Sequence, residues 1–64
     1  MDNAELKEAL TTQVPVMHNG IEYKRISAII YRMDGNKLII QAELLDKNQN
    51  SITIASPERI NKKE

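Results

Sequence analysis

The chain has 64 residues, with nine Lys and Arg balanced by nine Asp and Glu, one His, no Cys, no Trp and no Phe. That length suits one small domain spanning residues 1–64. The zero formal net charge argues against a protein whose main work is to neutralise the phosphates of nucleic acid. An apolar fraction of 41% is too large for a disordered tail, so the chain is predicted to fold.

The apolar runs of the sequence are too short to cross a bilayer, because the longest are residues 28–31 and 38–40. The first residues are acidic and lack the basic region and apolar stretch of a secretory signal. Since the chain has no cysteine for disulfide bonds, we expect it in the cytoplasm, without membrane attachment.

The first predicted element is a helix over residues 3–11. Asp2 and Glu5 have the spacing of a capping box, and Leu6, Ala9 and Leu10 fall on one face of the turns that follow. The helix has little more than two turns, so it needs packing against the rest of the chain to be stable.

A β-hairpin is predicted next, because Asn19-Gly20 between apolar runs is typical of a type I′ turn. Such a turn places Val16 opposite Tyr23. Further along, the apolar positions change from odd to even numbers, which predicts a bulge or a bend near Lys24-Arg25.

Two further hairpins are predicted, with three-residue loops at 33–35 and 48–50. In the first loop Gly35 takes the left-handed position. These loops place one set of apolar side chains on a shared buried face, namely Ile26, Ala28, Ile30, Leu38, Ile40, Ala42, Leu44, Ile52 and Ile54.

Ser56-Pro57 then predicts a single helical turn that brings Ile60 under the sheet, followed by a loose tail over residues 61–64. The predicted fold is therefore mainly β, a four-stranded antiparallel meander over residues 13–60. It forms either a small SH3-like barrel or a bent sheet, with a short N-terminal helix and a C-terminal helical turn.

Residues suited to catalysis are few. His18 is the only histidine and lies beside a turn, and Glu43 is predicted to form a cross-strand ion pair with Arg25. A domain this small is also expected to lack a substrate pocket of roughly 300 Å³ or more. We therefore expect a protein that is not an enzyme and has no cofactor, metal or small-molecule substrate.

An apolar surface is predicted on the sheet face opposite the core. Four residues form it: Ile29, Tyr31, Met33 and Ile39. Two interpretations are open. In the first, the N-terminal helix covers this face. In the second, a partner covers it, either another protein or a second copy of the chain.

A basic and aromatic cluster gives an alternative function. Stacking residues among cations on a β surface are typical of single-stranded nucleic-acid binders. The alternative is that the tyrosine belongs to the core and the cations protect a sheet edge. The residues concerned are Tyr23, Lys24, Arg25, Arg32 and Lys37.

The segments 21–24, 26–30, 41–47 and 50–55, together with Pro57, resemble short uncharacterised proteins encoded in phages and prophages of Gram-positive bacteria. The resemblance covers residues 21–60. It rests on the general pattern of residue types along the predicted strands, and no functional motif is shared. It implies an accessory protein that acts by binding a host or phage protein, and it assigns no activity to any residue.

Overall fold

The computed structural model describes residues 1–63; Glu64, the last residue of the predicted tail, lies outside the described residues. Within them the chain forms one α-helix, a 3₁₀ turn and six strands. In chain order these are α1 (Asn3–Thr12), β1 (Val16–His18), β2 (Ile21–Tyr23), β3 (Arg25–Asp34), β4 (Lys37–Leu45), β5 (Ile52–Ala55), the 3₁₀ turn (Pro57–Arg59) and β6 (Ile60–Lys62).

The strands form two antiparallel sheets of three, in the orders β2-β1-β6 and β3-β4-β5. The predicted mainly β class, the short N-terminal helix and the C-terminal helical turn are confirmed. The four-stranded meander and the SH3-like barrel are not confirmed, because the sheets of residues 1–63 do not close into one barrel.

The helix α1 begins with the predicted capping box. The Glu5 backbone N–H donates to Asp2 Oδ1 over 2.8 Å, and the Asp2 backbone N–H donates to Glu5 Oε1 over 3.1 Å. The helix is followed by Gln13 in the left-handed conformation, with φ at 58°. Leu6 and Ala9 are buried, so the predicted apolar face holds α1 to the rest of the molecule.

The first hairpin has the predicted register, with Val16 opposite Tyr23. Both turn residues have positive φ, 52° at Asn19 and 74° at Gly20, as a type I′ turn requires. The predicted bend is also present, because β2 and β3 are separated at Lys24 and belong to different sheets. A bulge follows at Ser27, slightly later than predicted.

The predicted three-residue loop of the second hairpin is wrong. The turn consists of Gly35 and Asn36, with Asp34 paired to Lys37, so Leu38 lies opposite Met33 and not opposite Ile30. Gly35 has a φ of 63°, whereas Asn36 is not among the positive-φ residues. A glycine at the first central position is typical of a type II′ turn, whose twist matches that of the strands.

The predicted 48–50 loop between β4 and β5 is also wrong. Leu45 pairs with Ile52, so the connection takes up residues 46–51. Asp46 holds it, because its carboxylate accepts hydrogen bonds of 2.9 Å from the Asn50 backbone N–H and from Ser51 Oγ. This register turns Ile52 and Ile54 away from the buried Leu44.

The core lies between α1, the first sheet and one face of the β3-β4-β5 sheet. Five of the predicted core residues are not part of it. Ala28, Ile30, Ile52 and Ile54 turn to the other face of the sheet because the corrected connections shift the strands against each other, whereas Leu38 stays on the core face but lies beyond the end of the core. The buried apolar residues are Leu6, Ala9, Val16, Tyr23, Ile26, Ala42, Leu44, Ala55 and Ile60.

The C-terminal helical turn is confirmed at Pro57–Arg59, and Ile60 is buried as predicted. The loose tail is wrong for Asn61 and Lys62, which continue from Ile60 as β6 and pair with β1. The Met1 ammonium group donates to the backbone oxygens of Pro57 (2.6 Å) and Ile60 (3.3 Å). These bonds tie the start of the chain to the 3₁₀ turn.

Candidate protein-binding surface

The β3–β4 hairpin extends beyond the rest of the structure. β5 pairs only with residues 42–45 of β4, so the hairpin from residue 30 to residue 41 continues without a third strand. We call this segment the arm. It contributes to the elongated shape of the molecule, which measures 36 × 23 × 21 Å along its principal axes.

One face of the arm continues the core face of the β3-β4-β5 sheet. Ile29 pairs with the buried Ala42, and the next pairs outward are Tyr31 with Ile40 and Met33 with Leu38. Ile29 and Ile40 are half-buried and pack against the core. Further out, Tyr31, Met33 and Leu38 are 55%, 61% and 54% exposed. The core therefore ends part-way along the arm, and its apolar surface continues into solvent.

The opposite face of the sheet, which we call the outer face, is also partly apolar. Ile30 and Ile39 are half-buried there, and Ile52 and Ile54 are 54% and 44% exposed. The prediction that grouped Ile39 with Ile29, Tyr31 and Met33 is wrong, because Ile39 pairs with Arg32 on the outer face.

Three exposed residues of these surfaces, Leu38, Ile52 and Ile54, had been predicted to lie in the core. No turn signal identifies Leu38, because it lies on the core face in either register and is exposed only because β5 stops at residue 42 of β4. Ile52 and Ile54 are not identified either, because Asp46 extends the loop through hydrogen bonds that strand alternation does not encode.

Two polar residues lie among the apolar side chains of the outer face. Gln41 Oε1 is buried and has no hydrogen-bond partner within residues 1–63. Glu43 Oε1 accepts a 2.9 Å hydrogen bond from Ser27 Oγ. The predicted register that placed Glu43 opposite Arg25 is wrong, since Arg25 lies opposite Leu45 and Glu43 opposite Ala28.

The structure separates the residues of the predicted basic and aromatic cluster. Tyr23 is a core residue, only 9% exposed, with its ring 6.3 Å from that of His18. Lys24 and Arg25 are half-buried at the bend, whereas Arg32 and Lys37 are exposed near the arm tip. At about 3.3 Å per residue, Arg25 and Arg32 are roughly 20 Å apart.

His18 is buried and held by hydrogen bonds within the fold. It is 9% exposed, its Nδ1 lies 3.2 Å from the Arg59 backbone oxygen, and its Nε2 lies 3.4 Å from Asn19 Nδ2. A single tautomer satisfies both contacts, with Nδ1–H donating to the carbonyl and Nε2 accepting from the amide. The side chain therefore fastens the first hairpin to the 3₁₀ turn.

Glu22 is the centre of a surface ion-pair network. Its carboxylate lies 2.8 Å from Lys63 Nζ and 3.4 Å from Lys47 Nζ. The hydrogen bond from Lys63, together with the charge of Lys47, holds the pKa of Glu22 below its usual value. The network links the end of the first sheet to the β4–β5 loop.

An open groove of about 540 Å³ lies between α1 and the residues that follow Ile60. Its volume exceeds what we expected for so small a domain. Glu5 and Lys62 on its rim are 3.6 Å apart, and the rim residue Lys63 bonds to Glu22. Glu5 and Lys62 therefore form an ion pair with each other, Lys63 is engaged outside the groove, and Glu8 is a further charged residue of the lining.

No protein-family model, curated protein or solved structure matches this chain. Among residues 1–63, no group of His, Asp and Glu side chains has the arrangement of a metal site. No helix in the same range has the length and apolarity needed to span a membrane.

Proposed function

We propose that this chain is a non-enzymatic protein-binding module and that the arm is its binding surface. One observation carries the proposal: Tyr31, Met33 and Leu38 lie side by side on the core face of the arm, each more than half exposed. A partner that covers this surface removes it from water. The added burial stabilises the folded chain, whose own core is small because the chain is short.

The chemistry of the three side chains suits protein recognition. Tyr31 offers a rigid aromatic body with a polar tip, a residue type enriched at the centres of interfaces. Met33 is flexible and polarizable, so it adapts to the shape of a partner. Leu38 fills the space beside Met33 on the neighbouring strand.

The biological setting is proposed from the resemblance of residues 21–60 to phage and prophage proteins. In that setting the chain is an accessory protein of a Gram-positive phage or prophage, acting in the cytoplasm by binding a host or phage protein. Binding to a second copy of itself belongs to the same proposal.

A nucleic-acid-binding module is the second candidate. The observation in its favour is that the arm carries exposed Tyr31 on its core face and two exposed cations, Arg32 and Lys37, on its outer face. Against it, Tyr31 and the two cations lie on opposite faces, the acidic Asp34 lies opposite Lys37 in the strand register, and Tyr23 is buried. The number of phosphate contacts such a surface offers is small.

The experiment compares an arm variant with a matched control. The arm variant carries Tyr31→Ser, Met33→Ser and Leu38→Ser; the control carries Val14→Ser and Ile21→Ser, which are also exposed but lie outside the arm. Each protein is immobilised and exposed to a lysate of a Gram-positive host, after circular dichroism has shown that it is folded.

We expect the unmodified protein and the control to retain the same protein, and the arm variant to lose it. Retention should change little between about 50 and about 200 mM salt. A nucleic-acid complex with several phosphate contacts would lose affinity by about a thousandfold or more over the same range. Equal retention by the arm variant contradicts the proposal, and a salt-sensitive complex with nucleic acid supports the second candidate.

A further inference from the structure

The outer face of the β3-β4-β5 sheet is unusually apolar for a sheet face that water reaches. In antiparallel sheets with one solvated face, the outward positions of each strand are mainly polar. Here both outward positions of β5 are exposed isoleucines. A face of this composition is typical of an interaction surface. Its apolar residues are Ala28, Ile30, Ile39, Leu45, Ile52 and Ile54.

The charged residues of the outer face have no ion-pair partner within residues 1–63. All ion pairs in that range involve Glu5 or Glu22, which belong to α1 and β2. The outer-face charges can therefore pair with groups of a partner. They are Arg25, Arg32 and Lys37 together with Asp34 and Glu43.

These charges have opposite signs on the two sides of the middle of the face. Ile30 and Gln41 lie opposite each other there, and we call them the central pair. Counted along β4, Glu43 lies two positions from the central pair on one side, and Arg32 lies two positions from it on the other. An acidic and a basic side chain are thus equally far from the middle.

The same relation holds further out. Arg25 lies four positions from the central pair on the side of Glu43, and Asp34 lies four positions from it on the opposite side. A rotation that exchanges the two ends of the face therefore brings each of these acidic residues close to a basic one. A rotation about an axis along β4 would instead place Glu43 against Glu43.

We infer that the outer face packs against the outer face of a second copy, about a two-fold axis that crosses the strands at the central pair. Since packed sheets lie about 10 Å apart, Glu43 of each copy is within reach of the long Arg32 side chain of the other. The two charges further out meet in the same way, and Ile39 packs beside Ile54. Each contact occurs twice, as in a closed two-fold dimer.

This dimer goes beyond the proposed protein-binding function, because it uses the other side of the sheet. Tyr31, Met33 and Leu38 lie on the core face and stay free in it. The variant in which all three are replaced by Ser should therefore dimerise like the unmodified protein. If only that variant stays monomeric, self-association uses the core face of the arm and the outer-face dimer is wrong.

The test is the monomer–dimer dissociation constant from sedimentation equilibrium. The mass of the unmodified protein should shift from 7.3 kDa towards twice that value as its concentration rises. Arg32→Glu sets two carboxylates against each other at both copies of the contact, and Glu43→Arg sets two guanidinium groups against each other. Each variant should raise the dissociation constant at least about tenfold.

An equimolar mixture of these two variants tests the contact directly. In a mixed dimer both contacts again join opposite charges, so its dissociation constant should return close to that of the unmodified protein. Within one chain Arg32 and Glu43 lie roughly 14 Å apart, so the recovery has to come from contact between copies. A mixture that stays monomeric overturns the inference, and so does an unmodified chain that is monomeric at millimolar concentration.

Two further variants serve as controls, after circular dichroism has shown that each is folded. Glu43→Arg removes the acceptor of the Ser27 hydroxyl, so Asp34→Arg tests the outer charge pair without that change and should also raise the constant. Lys7→Glu makes the charge change of Arg32→Glu on an exposed residue of α1 and should leave the constant unchanged. Equal effects of Lys7→Glu and Arg32→Glu would overturn the assigned contact, because net charge would then explain both.

Discussion

The corrected register of β4 and β5 can be tested with two isomeric side chains on neighbouring strands. Leu44 is fully buried, whereas Ile54 is 44% exposed on the outer face. Replacing either by Ala removes the same number of carbon atoms. Leu44→Ala should lower the free energy of unfolding by about 2–5 kcal/mol, because it removes buried carbons and leaves a cavity.

Ile54→Ala should cost only about 1 kcal/mol, since full burial of such a side chain contributes about 1.5–3 kcal/mol and roughly half of it is buried here. A domain of this size has a total stability of roughly 3–10 kcal/mol, so the two variants are easily distinguished.

Urea unfolding followed by circular dichroism measures the difference. With a slope of about 1 kcal/mol per molar urea, the midpoint should fall by about 2 M or more for Leu44→Ala and about 1 M for Ile54→Ala. The measurement is made at low protein concentration, so that association does not contribute. Equal losses would refute the assigned register, because they would place Ile54 in the core beside Leu44.

Three further outcomes are expected. Gly35→Ala should lower the free energy of unfolding by about 1 kcal/mol, because φ is 63° there, while the space around a new Cβ is free; Asn36→Ala, measured in the same way, should change it little. Ile39→Glu should leave the fold of the monomer intact, as judged by circular dichroism, and should leave retention of the partner by the immobilised protein unchanged, since Ile39 lies on the outer face, opposite the face that carries Tyr31, Met33 and Leu38. The pKa of Asp46 is held below its usual value by the Ser51 hydroxyl and by backbone N–H groups, so its contribution to stability is present above about pH 4 and is lost as the pH falls further. The drop in melting temperature between pH 7 and pH 3 should therefore be smaller for Asp46→Asn, and an unchanged drop would show that the loop is not held by this carboxylate.

Elements that depend on neighbours in sequence could be predicted. Two such elements are present, the capping box of Asp2 and Glu5 and the type I′ turn at Asn19-Gly20. Each is determined by a short segment of the sequence. The bend at Lys24 was equally predictable, because the spacing of apolar residues changes there. Each of these features is decided within a few residues.

Features that depend on competing pairings could not be predicted. Gly35 fits a bulged loop and a two-residue turn equally well, and the choice between them reverses which side of β3 shares the core face with Leu38, Ile40 and Ala42. Since Ala28, Ile29, Ile30 and Tyr31 are all apolar, the β3 sequence does not distinguish the two registers. The composition of the arm surface followed from that choice, which is why Ile29, Tyr31 and Met33 were assigned to the face opposite the core. The partner strand of Asn61 and Lys62 lies more than forty positions away, so no local pattern revealed β6.

The hydrogen bond between His18 and the Arg59 carbonyl spans 41 residues, whereas the second hairpin turns within two. Closing a loop of the longer kind costs about 2 kcal/mol more in chain entropy than closing one of a few residues. We therefore expect the β3–β4 hairpin to form early during folding, and β6 to join β1 only after the rest of the chain has brought them together. In that order of folding, the apolar surface of the arm is assembled and exposed before the domain is complete.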